Sequence, residues 1–141
     1  MKRLLSIIAL SLLTSVAFGR ASETTSLRTT VYSKGMNGYS TFRIPAIVRT
    51  ANNTLLAFAE ARRDGIGDAG NIDLVVRRSE DGGASWGDII VVWDDAENTC
   101  GNPSPVVDRE SGRILLLMTW NRGDDKERAI MRLESHDTRR V

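Results

Sequence analysis

Phe42-Arg43-Ile44-Pro45-Ala46-Ile47-Val48, Thr54-Leu55-Leu56-Ala57-Phe58-Ala59-Glu60-Ala61 and Ile72-Asp73-Leu74-Val75-Val76-Arg77-Arg78 are successive apolar runs within residues 41–86. Asn52-Asn53 separates the first two. Arg62-Arg63-Asp64-Gly65-Ile66-Gly67-Asp68-Ala69-Gly70 separates the second from the third, and Asp81-Gly82-Gly83 follows. Short runs rich in Ile, Val, Leu and Thr, bounded by Gly, Asn and Asp, read as strands joined by turns. Outward from this stretch the pattern continues. Residues 89–93 form a fourth run, 105–107 open a fifth, and 114–120 make a sixth. Residues 30–33 read as a short strand and 34–38 as a turn. No long stretch has a helical period, and 129–134 is the one short helix expected. The fold class is all-β, built of four-stranded antiparallel sheets. The runs from Phe42 to Trp93 make one up-and-down sheet, and Asn102 onward starts another in the same way. Setting Phe42 to Phe58 against Pro105 to Leu117 gives a repeat of roughly 60 residues, near the spacing of propeller blades. One such sheet cannot bury both faces and needs neighbours.

The 141 residues suffice for one small domain. With 26% charged residues and a net charge of +1, no global field steers a ligand, so any anion must be recognised by placed side chains. No basic patch with interleaved aromatics argues for nucleic acid. Lys2 and Arg3 precede an apolar stretch, residues 4–18, too short and serine-interrupted for a membrane span. Residues 1–21 read as a secretory signal with small residues at Ala17, Gly19 and Ala21, and 22–141 as the mature portion. A secreted or periplasmic location and no stable membrane insertion are expected. A single cysteine, Cys100, excludes an internal disulfide and a cysteine-rich zinc site. Cys100 reads as a packing residue, because the single histidine, His136, lies near the other end of the sequence.

Four motifs in order carry a resemblance. They are Phe42-Arg43-Ile44-Pro45; Ala59-Glu60-Ala61-Arg62 with Asp68; Ser79-x-Asp81-x-Gly83-x-x-Trp86; and Asn102-Pro103-Ser104-Pro105-Val106-Val107-Asp108. From about Val31 on, the chain resembles the N-terminal portion of a bacterial exo-sialidase. The resemblance implies the first one to two blades of a six-bladed β-propeller. It also implies a retaining hydrolase that removes terminal sialic acid from glycoproteins, glycolipids and oligosaccharides, without metal or organic cofactor. Six blades require roughly 300 residues. The two further arginines, the tyrosine nucleophile and its glutamate, which the family uses, are therefore expected beyond Val141, and the 141 residues alone are expected to be inactive.

The resemblance also implies roles. Sialic acid carries a carboxylate, and a planar guanidinium pairs with a carboxylate through two hydrogen bonds. Arg43 is implied as the first of three such arginines, with Pro45 holding Ile44 extended. Asp68 is implied as the general acid/base, on a glycine-rich loop whose closure over substrate would raise its pKa. Asp64 and Asp73 are rival carboxylates. Arg62 is implied to sit beside Asp68 and tune it, with Arg63 the alternative, since only one of two neighbours on a strand can face the site. Asn102 is implied to contact polar substituents of the sugar, or else simply starts a strand. Ser79, Asp81, Gly83 and Trp86 read as a structural turn distant from the site. A non-catalytic sialic-acid-binding propeller and a trans-sialidase are the alternative functions.

Overall fold

A computed structural model describes residues 28–135. The signal reading of residues 1–21 and His136 lie outside the described residues. The strands are β1 (Thr41–Arg49), β2 (Leu55–Arg62), β3 (Ile72–Ser79), β4 (Ile90–Trp93), β5 (Thr99–Val107) and β6 (Ile114–Asn121), with a 3-10 turn at Met36–Gly38 and a helix α1 at Glu127–Met131. β1 to β4 form an antiparallel meander. After β4 the chain turns and meets β3 once more, in parallel, at Ile72 and Thr99; β5 then pairs antiparallel with β6. The antiparallel group β1 to β4, expected over Phe42 to Trp93, and the hairpin β5–β6 are thereby joined into one six-stranded sheet, ordered β1-β2-β3-β5-β6 with β4 also paired to β3.

β2 and β3 are buried almost throughout, whereas β4 is exposed at every residue. Alternation sorts the core onto two faces. Ala59, Ala61 and Val75 pack with Tyr39, against Tyr32, Phe42 and Ile89. Leu56, Phe58 and Val76 face the other way, against Ala46, Val48 and Leu116 of β6. The even-numbered residues of β2 therefore run Leu56, Phe58, Glu60, Arg62: apolar at one end of the gap between the hairpins and ionic at the other. Cys100 is fully buried, and burial pushes its thiol up to about 12, which suits a packing residue.

Several local expectations need correction. Residues 30–33 form no strand; Tyr32 instead stacks on Phe42 at 4.8 Å and donates to the Ala57 carbonyl at 2.6 Å. β5 begins at Thr99, well before Pro105, because Gly101, Pro103 and Pro105 sit in and beside a bulge rather than ending the strand. The helix falls at Glu127–Met131, a few residues early. Ile44 is not extended. It adopts φ 51, left-handed, where the register shifts between Arg43 and Ala46. Asn102 also has φ 51, at the matching shift between Gly101 and Ser104. The internal repeat therefore aligns Phe42-Arg43-Ile44-Pro45 with Cys100-Gly101-Asn102-Pro103, not with the segment from Pro105. A β-branched residue in this region is strained by about 1–3 kcal/mol. Asn tolerates it better.

The turn after β3 is held by its own side chains. Ser79 Oγ donates to Asp81 Oδ1 and accepts the Gly83 N–H, both at 2.8 Å, while Asp81 also accepts the Ser85 N–H at 2.9 Å. Gly83, at φ 94, supplies the backbone that side-chain-bearing residues avoid. Trp86 Nε1 donates to Thr29 Oγ1 at 3.3 Å. Leu55 pairs with Ser79, and Arg62 with Ile72, so this turn lies at the opposite end of β2 from Arg62. Replacing Ser79 by alanine orphans a buried amide and should cost about 1.5 kcal/mol in urea unfolding. Anion binding at the Arg62 end should be unchanged.

Candidate functional site

Register brings the ionic residues together. Arg43 on β1 pairs directly with Glu60 on β2, and Arg62 follows two residues later on the same face. Glu60 and Arg62 are almost fully buried, at 3% and 2% exposure. Arg62 donates from Nε and Nη2 to Glu60 Oε2 at 3.1 and 2.5 Å. The other oxygen, Oε1, accepts the Asn102 N–H at 3.0 Å, across the gap to β5. The carboxylate is admitted only because residue 101 is glycine; a Cβ there would collide with Glu60 Oε1.

The second edge of Arg62 holds the loop after β2. Nη1 donates to the Ile66 and Gly67 carbonyls at 2.6 and 2.7 Å and lies 2.8 Å from Asp68 Oδ1. Arg43 Nη1 donates to the same Asp68 oxygen, also at 2.8 Å. The Arg62 guanidinium foremost, joined by Arg43, holds the Asp68 carboxyl below the usual carboxylate range. The rise expected on loop closure over substrate concerns the liganded chain; without ligand the carboxyl is held low. Burial opposes the two cations but does not outweigh them, the Asp68 side chain being 67% exposed.

These groups line one cleft of about 350 Å³. Arg43, Arg62, Asp68 and Asn102 all face it, with Asp125 and Glu127 on the far lip. Asn102 is bound through Nδ2 to Thr119 Oγ1 at 2.7 Å. The rivals sit elsewhere. Arg63 points to the opposite face, 4.5 Å above the Tyr39 ring and 2.9 Å from the fully buried Asp73. Tyr39 donates its hydroxyl to the same Asp73 oxygen at 2.5 Å. Asp64 lines a small separate hollow with Gly65 and Gly70. Glu60, Gly101, Asp125 and Glu127 were not anticipated from sequence as parts of the site. For Glu60 the signal was present, since a carboxylate two residues before a site-facing arginine shares its face. Among the described residues no group of three His, Cys, Asp or Glu side chains is placed to hold a metal ion.

The arrangement can seat a carboxylate on the exposed Arg43 guanidinium and place an ionisable acid, Asp68, beside it. Fold and cleft together define the class as an antiparallel β protein with an ionic cleft at one end of its sheet. Comparison of sequences supplies the family likeness: the chain is homologous to sialidases along the stretch it shares with them. It is 43% identical over 90 residues to an exo-alpha-sialidase of Aspergillus fumigatus, covering 60% of this chain and 22% of that protein. It is 40% identical over 86 residues to a sialidase of Micromonospora viridifaciens, covering 57% and 13%. A sialidase of Paraclostridium sordellii is 33% identical over 101 residues, covering 67% and 25%. The solved structure of Hadza microbial sialidase Hz136 is similar with a TM-score of 0.56 and 25% identity, covering 62% of this chain and 19% of that one. The relatives thus include fungal as well as bacterial proteins. No protein-family model matches. The chain spans about a fifth of the length of the curated relatives it matches.

Proposed function

We propose that the chain contributes the first wall of the active site of an exo-α-sialidase acting on terminal sialic acid of glycoproteins, glycolipids and oligosaccharides with retention. The observation that carries this reading is the convergence of Arg43, Arg62 and Asp68 on one cleft. Arg43, 44% exposed, takes the sugar carboxylate. Asp68 gives a proton to the departing glycosidic oxygen and then, as carboxylate, takes one from the attacking water. Asn102 faces polar substituents of the sugar from β5. Arg62, buried and anchored by Glu60, holds the Asp68 loop in place. The basic and apolar pattern of residues 2–18 supports export to the periplasm or medium.

The test is binding of N-acetylneuraminic acid against its methyl ester, followed by calorimetry or ligand-observed NMR. The free acid should bind, and Arg43→Ala should weaken it about tenfold to a hundredfold, the worth of a charged hydrogen bond. The ester should bind poorly to both chains. Equal affinity for acid and ester would remove Arg43 from carboxylate recognition and with it this reading.

A further inference from the structure

Arg43 and Arg62 approach from different strands, and each has Nη1 at 2.8 Å from a single oxygen, Asp68 Oδ1. Arg62 is engaged on both edges by Glu60 and the loop carbonyls, so Arg43, 44% exposed, is the guanidinium that an incoming carboxylate can pair with. Here the chain's own aspartate takes that place. Asp68 is the least restrained member of the cluster, being exposed and bordered by Gly67, with Gly65 and Gly70 at φ 138 and 127.

The loop backbone does not depend on the Asp68 side chain. Arg62 Nη1 holds the Ile66 and Gly67 carbonyls, and Thr99 Oγ1 bonds both the N–H and the carbonyl of Gly70, at 3.1 and 3.0 Å. The two hydrogens of Arg62 Nη1 already have two carbonyl acceptors, so departure of Asp68 orphans no buried donor. Asp68 can therefore leave by side-chain rotation while the loop stays in place.

Charge decides what accompanies the departure. Arg43 and Arg62 are balanced by Glu60 and Asp68. The other titratable groups lining the cleft, Asp125 and Glu127, are acidic. Adding a ligand carboxylate leaves the cleft over-supplied with negative charge in a confined space. Glu60 is buried, with both oxygens engaged by Arg62 and Asn102, and so cannot relieve it. Asp68, exposed and displaced, can.

We propose that Asp68 is a built-in occupant of the carboxylate seat, and that an anionic ligand displaces it from Arg43 and Arg62 with uptake of one proton from solvent onto the freed Asp68. The exchange balances: ligand carboxylate replaces aspartate carboxylate on Arg43, Arg62 keeps its bonds to Glu60 and the two loop carbonyls, and the aspartate leaves as the neutral acid. The inference deepens the sialidase reading and rests on it for the choice of ligand, because the proton donor would then hold its proton only when substrate is seated. In the free chain the Asp68 carboxyl is held low by Arg62 and Arg43. In the complex that hold is gone and like charges surround it, so its proton affinity rises. Between the two values binding takes up protons, and affinity falls as pH increases, by up to about tenfold per pH unit.

The experiment is isothermal titration of N-acetylneuraminic acid into the chain from about pH 4 to 7, in buffers of different ionisation enthalpy. That comparison counts protons per ligand bound. The Asp68→Asn chain is run beside it, since it reports any titration of the ligand itself. The wild-type chain should take up as much as one proton per ligand beyond the Asp68→Asn value. The variant should bind about tenfold more tightly near neutral pH, having lost its charged competitor. Binding by both chains with identical proton counts and identical pH slopes overturns the coupling but leaves the sialidase reading standing. No binding by either chain at any pH overturns both.

Discussion

Glu60→Ala should destabilise the chain by about 3 kcal/mol. Removing one partner of a buried ion pair leaves the other charge uncompensated, at a cost of 3–5 kcal/mol in general. Arg62, 2% exposed, would lose both of its bonds to Oε2 and keep the Ile66 and Gly67 carbonyls and the exposed Asp68, which places the effect at the lower end. The Asn102 amide would also lose its acceptor. For a domain of this size the loss corresponds to a fall in Tm of roughly 15 °C. Glu60→Gln keeps the shape and can still accept one hydrogen bond, so it should cost about half as much. Urea unfolding of the three chains checks the order. An unfolding free energy unchanged in Glu60→Ala would mean that solvent reaches Arg62 and that the pair is not buried.

Gly101→Ala should be nearly as damaging, at about 2–4 kcal/mol, although it adds a single methyl group. That methyl would overlap Glu60 Oε1, and Glu60 cannot turn aside without releasing Arg62 or the Asn102 amide. The mechanism predicts non-additivity. In the double variant Gly101→Ala with Glu60→Ala the methyl meets no carboxylate, so the combined loss should fall short of the sum of the single losses by more than about 1 kcal/mol. Strict additivity in a denaturant double-mutant cycle would show that Gly101 matters for its backbone alone.

Much of this arrangement was legible in the sequence, for identifiable reasons. Strand periodicity around Asn52-Asn53 and Asp81-Gly82-Gly83 located β1 to β3 to within a residue or so, because turn residues and period-2 burial act locally. Alternation also separated Arg62 from Arg63, and the structure sends them to opposite faces. Arg43, Arg62, Asp68 and Asn102 do share a cleft. What was hidden depends on contacts across the chain. The left-handed backbone at Ile44 runs against the ordinary preference of a residue before proline, and only the pairing of β1 with β2 reveals the bulge that demands it. β5 was begun too late because two prolines and a glycine outweighed the ladder in a local reading. That the Asp68 carboxyl is held low in the unliganded chain was hidden because Arg43, 25 residues away, joins Arg62 at one oxygen. Asp125, just before α1, and Glu127, its first residue, reach the cleft because the helix begins two residues earlier than the local pattern placed it.

The graded face of β2 has an effect on folding. Leu56 and Phe58 anchor in grease at one end while Glu60 and Arg62 engage partners at the other, so the hydrophobic contacts dictate where the charges land. A slip of one residue between β1 and β2 would turn Ala57, Ala59 and Ala61 toward the neighbouring hairpin and expel both charges from the cleft together. A half-assembled site with one charge in place is not an accessible outcome of such an error. Misaligned molecules are blank at this position, and correctly aligned ones carry the whole constellation.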